Sequence, residues 1–264
     1  NVKMATVVVS TLPIIIAYPF MQKYFISQSE LLNKRIISDD VNHIKNVTRS
    51  KVGDSVIVSD QCNEYLVKLT KIENKFVDFE LVNEIQNQNE LPVLIDIYQG
   101  YPKGDKLDDI VKHGTELGVN AIYATFMKRS IVKLEDKKIA NKIERYKKIA
   151  KEAAEQSFRK IIPGFDIKYL DEIDFSSYDI KLIAYEENAY NGELVNFKKA
   201  ISNAKQGSKI AIIIGPEGGI DPKEIDKLEE KGFTCCAFGR RILRTETAPL
   251  YALSAISYEL ELKK

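Results

Sequence analysis

Two stretches hold the residue types best able to do chemistry: "IIIGPEGGIDPKE" at 212–224 and "FGRRILRTETAPL" at 238–250. In the first, an apolar run predicts a strand. Gly215, Gly218 and Gly219 can then take positive φ and admit a ligand close to the backbone, while Pro216 stiffens the turn. Asp221 reads as the N-cap of a following helix, with Pro222 at its first position and Glu224 completing a capping box. Neither G-x-G-x-x-G nor G-x-x-x-x-G-K-[ST] occurs in the chain, and Glu217 and Asp221 would repel phosphate. The turn therefore suits a neutral or cationic ligand met by backbone groups, or is a tight strand-to-helix turn holding nothing. In the second stretch Arg240, Arg241 and Arg244 fall within five residues at a predicted strand end. That density fits a polyanion site or a surface charge cluster, and Thr247 is a candidate N-cap for the helix that follows. A third loop, "YEENAYNGE" at 185–193, is acidic.

The elements that must position these loops follow from hydrophobic period. Between Phe25 and Ile85 the runs "SVIVSD", "EYLVKLTKI" and "KFVDFELV" alternate, with turn-formers at Gly53-Asp54 and Glu73-Asn74, as a small antiparallel sheet or barrel requires. The polar stretch "EIQNQNELP" then marks a domain boundary near residue 90. Beyond it, strands at 93–100, 120–126, 180–186, 209–215 and 233–239 alternate with helical stretches at 106–118, 139–160, 193–204, 222–231 and 248–262. Pro163 is the expected stop of the long helix. This alternation predicts an α/β fold, a largely parallel sheet covered by helices, whose ligands sit beyond the carboxyl ends of the strands.

Composition bounds the chemistry. A length of 264 residues, 44% of them apolar, supports two domains, and a net charge of +1 excludes a polycation. Any nucleic-acid surface must come from local clustering. With only His43 and His113, a multi-His metal centre is excluded, and no metal is expected. Cys62, Cys235 and Cys236 give neither a disulfide framework nor a zinc spacing, which fits reduced, mostly buried thiols in a cytosolic protein. Residues 1–20 are almost uncharged and interrupted by Pro13 and Pro19. They make a poor signal peptide and are short for a membrane span. The expectation is a leader at 1–20, either expression-derived or read from an upstream start, then a small β domain at 21–90 and an α/β domain at 91–264.

Four separated segments resemble one family. "KGDKLDDIVKHGTELGV" (103–119), "ERYKKIAKEAAEQSFRKIIP" (144–163), "IIIGPEGGIDPKEI" and "FGRRILRTETAPLYAL" look like the bacterial RsmE family, which methylates uridine N3 in 16S ribosomal RNA. The likeness runs from Met21 to the C-terminus. It implies a SPOUT methyltransferase domain whose parallel sheet carries a deep trefoil knot, and a PUA-like β-barrel before it. It also implies S-adenosylmethionine as cofactor and a cytoplasmic homodimer with sites at the subunit interface. The expected partner is 16S rRNA or the small ribosomal subunit, with no membrane. By the same resemblance Ile214, Gly215, Gly218, Gly219, Leu243 and Arg244 would wall the cofactor pocket, with Tyr185 and Glu186 at the end of the first knotted strand. Arg129, Ser130, Gln156 and Arg159 match the family pattern as RNA contacts, joined by Arg240 and Arg241.

Segment 128–160 supports an RNA surface with twelve Lys and Arg against five Asp and Glu, a local excess of seven positive charges, although a solvated helix face would show the same bias. Methylating uracil N3 needs its proton removed and the nitrogen placed in line with the sulfonium methyl. Arg244 is the expected stabiliser of the anionic uracil. Glu246 is a candidate proton acceptor, or a capping or pairing group for a neighbouring arginine. The competing readings are methylation of another RNA position, a non-catalytic RNA-binding assembly protein and, more distantly, a nucleotide-binding protein.

Overall fold

The computed structural model describes residues 21–86, 88–132, 135–185 and 194–263. The chain divides into two compact units, Asn1–Asn87 and Gln88–Lys264.

In the first unit five strands, β1 (Lys23–Phe25), β2 (Arg35–Ile36), β3 (Ser55–Ser59), β4 (Glu64–Ile72) and β5 (Val77–Ile85), form one sheet in the order β1-β3-β4-β5-β2. The three runs predicted as strands are β3, β4 and β5. Their inward residues Val56, Val58, Val67, Leu69, Val77 and Phe79 share a core with Tyr24, Ile36 and Ile44. Two short helices, α1 (Gln28–Asn33) and α2 (Asp40–Asn42, continuing as a π-turn through Val47), went unread in the sequence. Neither is long enough to show a 3.6-residue period. Ser27 and Glu30 form a capping box on α1, and Glu30 also accepts from the backbone N–H groups of Ile37 (2.9 Å) and Ser38 (3.2 Å). Burial alone would raise the Glu30 carboxyl, but these N–H donors and Ser27 hold it below its ordinary range.

The second unit alternates β6 (Leu94–Gly100), α3 (Lys106–Glu116), β7 (Ala121–Phe126), α4 (Asp136–Gln156), β8 (Gly164–Tyr169), β9 (Ile180–Ala184), α5 (Asn196–Ser202), β10 (Lys209–Ile214), α6 (Pro222–Glu230), β11 (Thr234–Cys236) and α7 (Thr247–Ser257). All six strands pair in parallel in the order β11-β9-β10-β6-β7-β8. One sheet face packs α3, α4, α5 and α7 through Ile95, Ile97, Leu107, Ile110, Tyr146, Phe197, Ala252 and Leu253. The other carries α6 and the segment 170–175 through Tyr98, Ile183, Ile213, Ile225, Leu228 and Phe175. These are the two covered faces a parallel sheet demands.

Three local readings change. Strand β8, "GFDIKY", was missed because Asp166 and Lys168 interrupt its two buried residues, Phe165 and Ile167. Helix α4 stops at Gln156, seven residues before Pro163: Phe158 adopts φ 58, and the Phe158 and Arg159 N–H groups bond back to Glu155 and Ala154. This is a Schellman closure with a non-glycine residue in the left-handed position. Thr247 is the first residue of α7; the cap position belongs to Glu246, which makes no side-chain capping bond. The Asp221 box on α6 forms as expected, with Pro222 at the helix start. Cys235 and Cys236 are buried and Cys62 is exposed.

Candidate functional site

The carboxyl ends of β9, β10 and β11 and the loops that leave them enclose a cavity of about 430 Å³. Its walls include Tyr185, Ile214, Gly215, Gly219, Leu243 and Arg244, six of the residues the resemblance assigned to cofactor. Glu186 lies outside the described residues. Gly218 sits beside the cavity, its Cα hydrogens facing the Arg129 side chain, where an added Cβ would stand 3.4 Å from Arg129 Cβ. Pro216 and Ile242, within the two stretches the resemblance assigned to the walls, line the cavity too, whereas the sequence reading missed Ala184, Ala237, Phe238 and Thr245. Ala184 ends β9 and Ala237 and Phe238 directly follow β11, a signal of position alone; Thr245, nine residues past β11, left none.

The glycines work differently from one another. Gly219 takes φ 71, the left-handed conformation the turn requires. Gly215 is demanded by close packing instead: a Cβ there would meet Ile220 Cγ1 at 2.9 Å and the Gly219 carbonyl carbon at 3.0 Å. Gly100, at the end of β6, is tighter still, because a Cβ would lie 2.4 Å from Pro216 Cδ. The GPEGG turn thus rests directly on the neighbouring strand.

Charges around the turn are paired. Lys106, the first residue of α3, donates to Glu217 Oε1 (2.8 Å), which also accepts the Lys103 N–H (3.0 Å). The same ammonium lies 3.4 Å from Glu246 Oε2, a buried oxygen that it meets as an ion pair without hydrogen-bond alignment. Lys106 thereby ties the turn to the arginine loop. Burial pushes Glu217 up, but Lys106 and the backbone donors outweigh it and hold the carboxyl below its usual range. The Lys106 ammonium is raised, chiefly by Glu217. Lys128 donates to Asp221 Oδ2 (2.9 Å) and depresses that carboxyl. Arg129 reaches the Gly218 carbonyl (3.1 Å) and lines the cavity.

Arg244 is 85% exposed at the cavity rim, its Nη1 4.0 Å from Glu246 Oε1. Arg241 also lines the cavity, and both it and Arg240 are exposed. Gln156 is exposed, and Ser130 accepts the Met127 N–H (3.1 Å), closing its own turn. Arg159 departs from expectation. Its residue exposure is 2%, and its guanidinium donates to the carbonyls of Thr115 (3.2 Å) and Val119 (2.6 Å) and to Glu90 (2.5 Å). It closes the C-terminus of α3 and has no surface to offer RNA. Parts of the basic helix are likewise committed, since Arg145 pairs with Asp108, Lys147 with Glu144 and Lys151 with Glu155.

Comparison with known proteins identifies the family. Residues 89–257 match the RNA methyltransferase domain family and residues 36–82 the RNA methyltransferase PUA domain. The ribosomal RNA small subunit methyltransferase E of Bacillus subtilis is 41% identical over 251 residues, covering 92% of this chain and 98% of that protein. The chain belongs to this family. A second relative, the enzyme of the same name from Mesomycoplasma hyopneumoniae, is 31% identical over 89% of this chain and 98% of its own length. The ribosomal RNA small subunit methyltransferase E from Neisseria gonorrhoeae, solved bound to S-adenosyl methionine, is 27% identical. It superposes with a TM-score of 0.75 over 90% of this chain and 98% of that one.

Proposed function

We propose that this protein is an S-adenosylmethionine-dependent methyltransferase acting on N3 of a uridine in 16S rRNA of the small ribosomal subunit. The observation that carries the reading is the cavity itself. In a chain of the RNA methyltransferase family, the GPEGG turn and the RILRT loop face each other across a space of the size that binds small cofactors.

The residues present fit S-adenosylmethionine. The lining mixes apolar groups, Ile214, Pro216, Phe238 and Leu243, with backbone that Gly215 and Gly219 bring close. Ile214, Gly215, Gly218, Gly219, Leu243 and Arg244 are proposed to hold it, and Tyr185 and Glu186 are proposed as further contacts. The bound cofactor supplies an electrophilic methyl group on a sulfonium. Glu217, engaged by Lys106, shapes the turn and leaves recognition to backbone and apolar surface.

The chain's own work is to place the uracil and manage its charge. Arg244, free to swing from the rim, balances the anion formed when N3 loses its proton. Glu246 stands between Lys106 and Arg244, its Oε2 buried against the Lys106 ammonium and its Oε1 on the Arg244 side, and is the proposed acceptor of that proton. Arg129, Ser130, Gln156, Arg240 and Arg241 are the proposed RNA contacts.

The reading includes a homodimer and a cytoplasmic location. Exposed Tyr251, Tyr258 and Leu262, on α7 and the turn after it, support the dimer, and no helix among the described residues is long and apolar enough to cross a membrane. It includes the trefoil path as well. In its support, the segment after β11 returns from one sheet edge across β9 and β10 to α7, which packs on α3 and β6.

The test is methyl transfer from labelled S-adenosylmethionine to small subunits lacking the modification, with mass mapping of the product. N3-methyluridine at one site is expected. A different methylated nucleoside would move the reading to another RNA position, and cofactor binding without transfer would move it to a non-catalytic assembly role.

A further inference from the structure

A continuous polar chain runs through the floor of the cavity. Gln99, on β6, is fully buried; its Nε2 donates to Thr245 Oγ1 (2.7 Å) and to the Gly100 carbonyl (3.2 Å). Thr245, 8% exposed, donates its hydroxyl hydrogen to the Gly215 carbonyl (2.7 Å). The direction is fixed, because an amide N–H can only donate and the single hydroxyl hydrogen is then left for Gly215. Three elements meet here: the end of β6, the first residue of the GPEGG turn and the arginine loop. Both walls of the cavity depend on one threonine.

We infer that Gln99 and Thr245 are positioning residues for the cofactor, a relay that sets the spacing and tilt of the two walls by fixing the Gly215 peptide plane. The role rests on the methyltransferase reading above. Three further features converge on it. Pro216, the residue after the engaged carbonyl, has no N–H with which to hold the turn from its other side. Gly100 leaves no room below Pro216, so the turn is pressed from beneath while Thr245 pins it laterally. Thr245 itself lines the cavity between Arg244 and Ala248, so displacement of its backbone moves the residues proposed to meet cofactor and uracil. Neither side chain touches a reacting atom; both act through backbone.

The experiment is calorimetric titration of the full chain with S-adenosylmethionine, with thermal melting of each variant alongside. Thr245→Val keeps the shape and deletes the hydroxyl, leaving a buried amide N–H and the part-buried Gly215 carbonyl unmatched. Its affinity should fall about 10- to 100-fold. Thr245→Ser restores the hydroxyl and should bind within about twofold of the parent, a readout that loss of packing alone would not rescue. Gln99→Met should weaken binding by less than Thr245→Val, and the double variant should bind no worse than Thr245→Val, because the two act in series. Parental affinity in Thr245→Val, or a serine variant as weak as the valine one, overturns the relay. So does strict additivity of the two losses. Should Thr245→Val fail to fold, parental affinity in Gln99→Met overturns it. An unmodified chain that takes up no S-adenosylmethionine overturns the cofactor reading itself, and this role with it.

Discussion

Replacing Arg159 by alanine should damage the fold, not the RNA surface. The guanidinium makes hydrogen bonds to two main-chain carbonyls, Thr115 and Val119, and a paired contact to Glu90. Glu90 also accepts the N–H groups of Lys160 (2.8 Å) and Ile161 (3.3 Å), so its carboxylate would stay put without its cation. Breaking a buried ion pair by deleting one partner costs about 3–5 kcal/mol. The Glu90 side chain is 26% exposed, which draws that figure to its lower end. Each carbonyl that loses its donor adds about 1 kcal/mol. A total of about 5 kcal/mol should lower the melting temperature of a unit this large by roughly 10–20 °C. The assay is thermal and urea unfolding of Arg159→Ala, with RNA affinity measured across salt concentrations at a temperature where the variant stays folded. An unmoved midpoint, together with weaker RNA binding and a salt slope reduced by about one, would refute the reasoning and return Arg159 to the RNA surface.

Gly100→Ala should disturb the cavity from below, since the added carbon falls 2.4 Å from Pro216 Cδ and 2.5 Å from its nitrogen. Overpacking of this kind costs about 1–3 kcal/mol, and S-adenosylmethionine affinity by calorimetry should drop with it; parental affinity would mean that the turn is not seated on β6. Arg244→Ala is expected to retain cofactor binding and lose most methyl transfer, and full turnover at saturating RNA would remove Arg244 from the mechanism. In the first unit, Glu30 has its carboxyl depressed below the ordinary value of 4.5, so its stabilisation is complete above that pH and fades as pH falls through the depressed value. Glu30→Gln should therefore be less stable than the parent at neutral pH and converge on it in acid, and a stability gap constant from pH 7 to about 3 would contradict the linkage.

What could be seen in the sequence was whatever leaves a local trace. The strands β6, β7 and β10 are runs of apolar residues, and the α6 boundary is spelled out by Asp221, Pro222 and Glu224 within four positions. The cavity-forming loops declared themselves through glycine and arginine density. Three-dimensional features left no such trace. Asp96 lies inside the run "VLIDIYQG", and only the fold shows why a carboxylate is tolerated there: Tyr178 and Asn120 donate to it from distant positions. Arg159 looked like one more cation in a basic segment because its partners, Glu90, Thr115 and Val119, are 40 or more residues away. Gln99 and Thr245, 146 residues apart, could not be paired by any spacing rule.

The place of the cavity follows from the strand order. After β6 the chain steps outward to β7 and β8, then crosses to β9 on the far side and inserts β10 between β9 and β6. The direction of winding reverses at the β6–β10 seam, where loops diverge beyond the carboxyl ends, and the cavity over β9, β10 and β11 opens beside that seam. In register, Gln99 lies beside Ile214, so Gly100 and Gly215 emerge together at that seam. Side chains on both would force the loops apart; two glycines let Pro216 settle onto β6 and leave the space above to the returning arginine loop. That loop must then be held at a fixed height over a seam that has no side chains of its own at its mouth. Thr245, reaching Gly215 from above and Gln99 from within the sheet, is the residue placed to hold it.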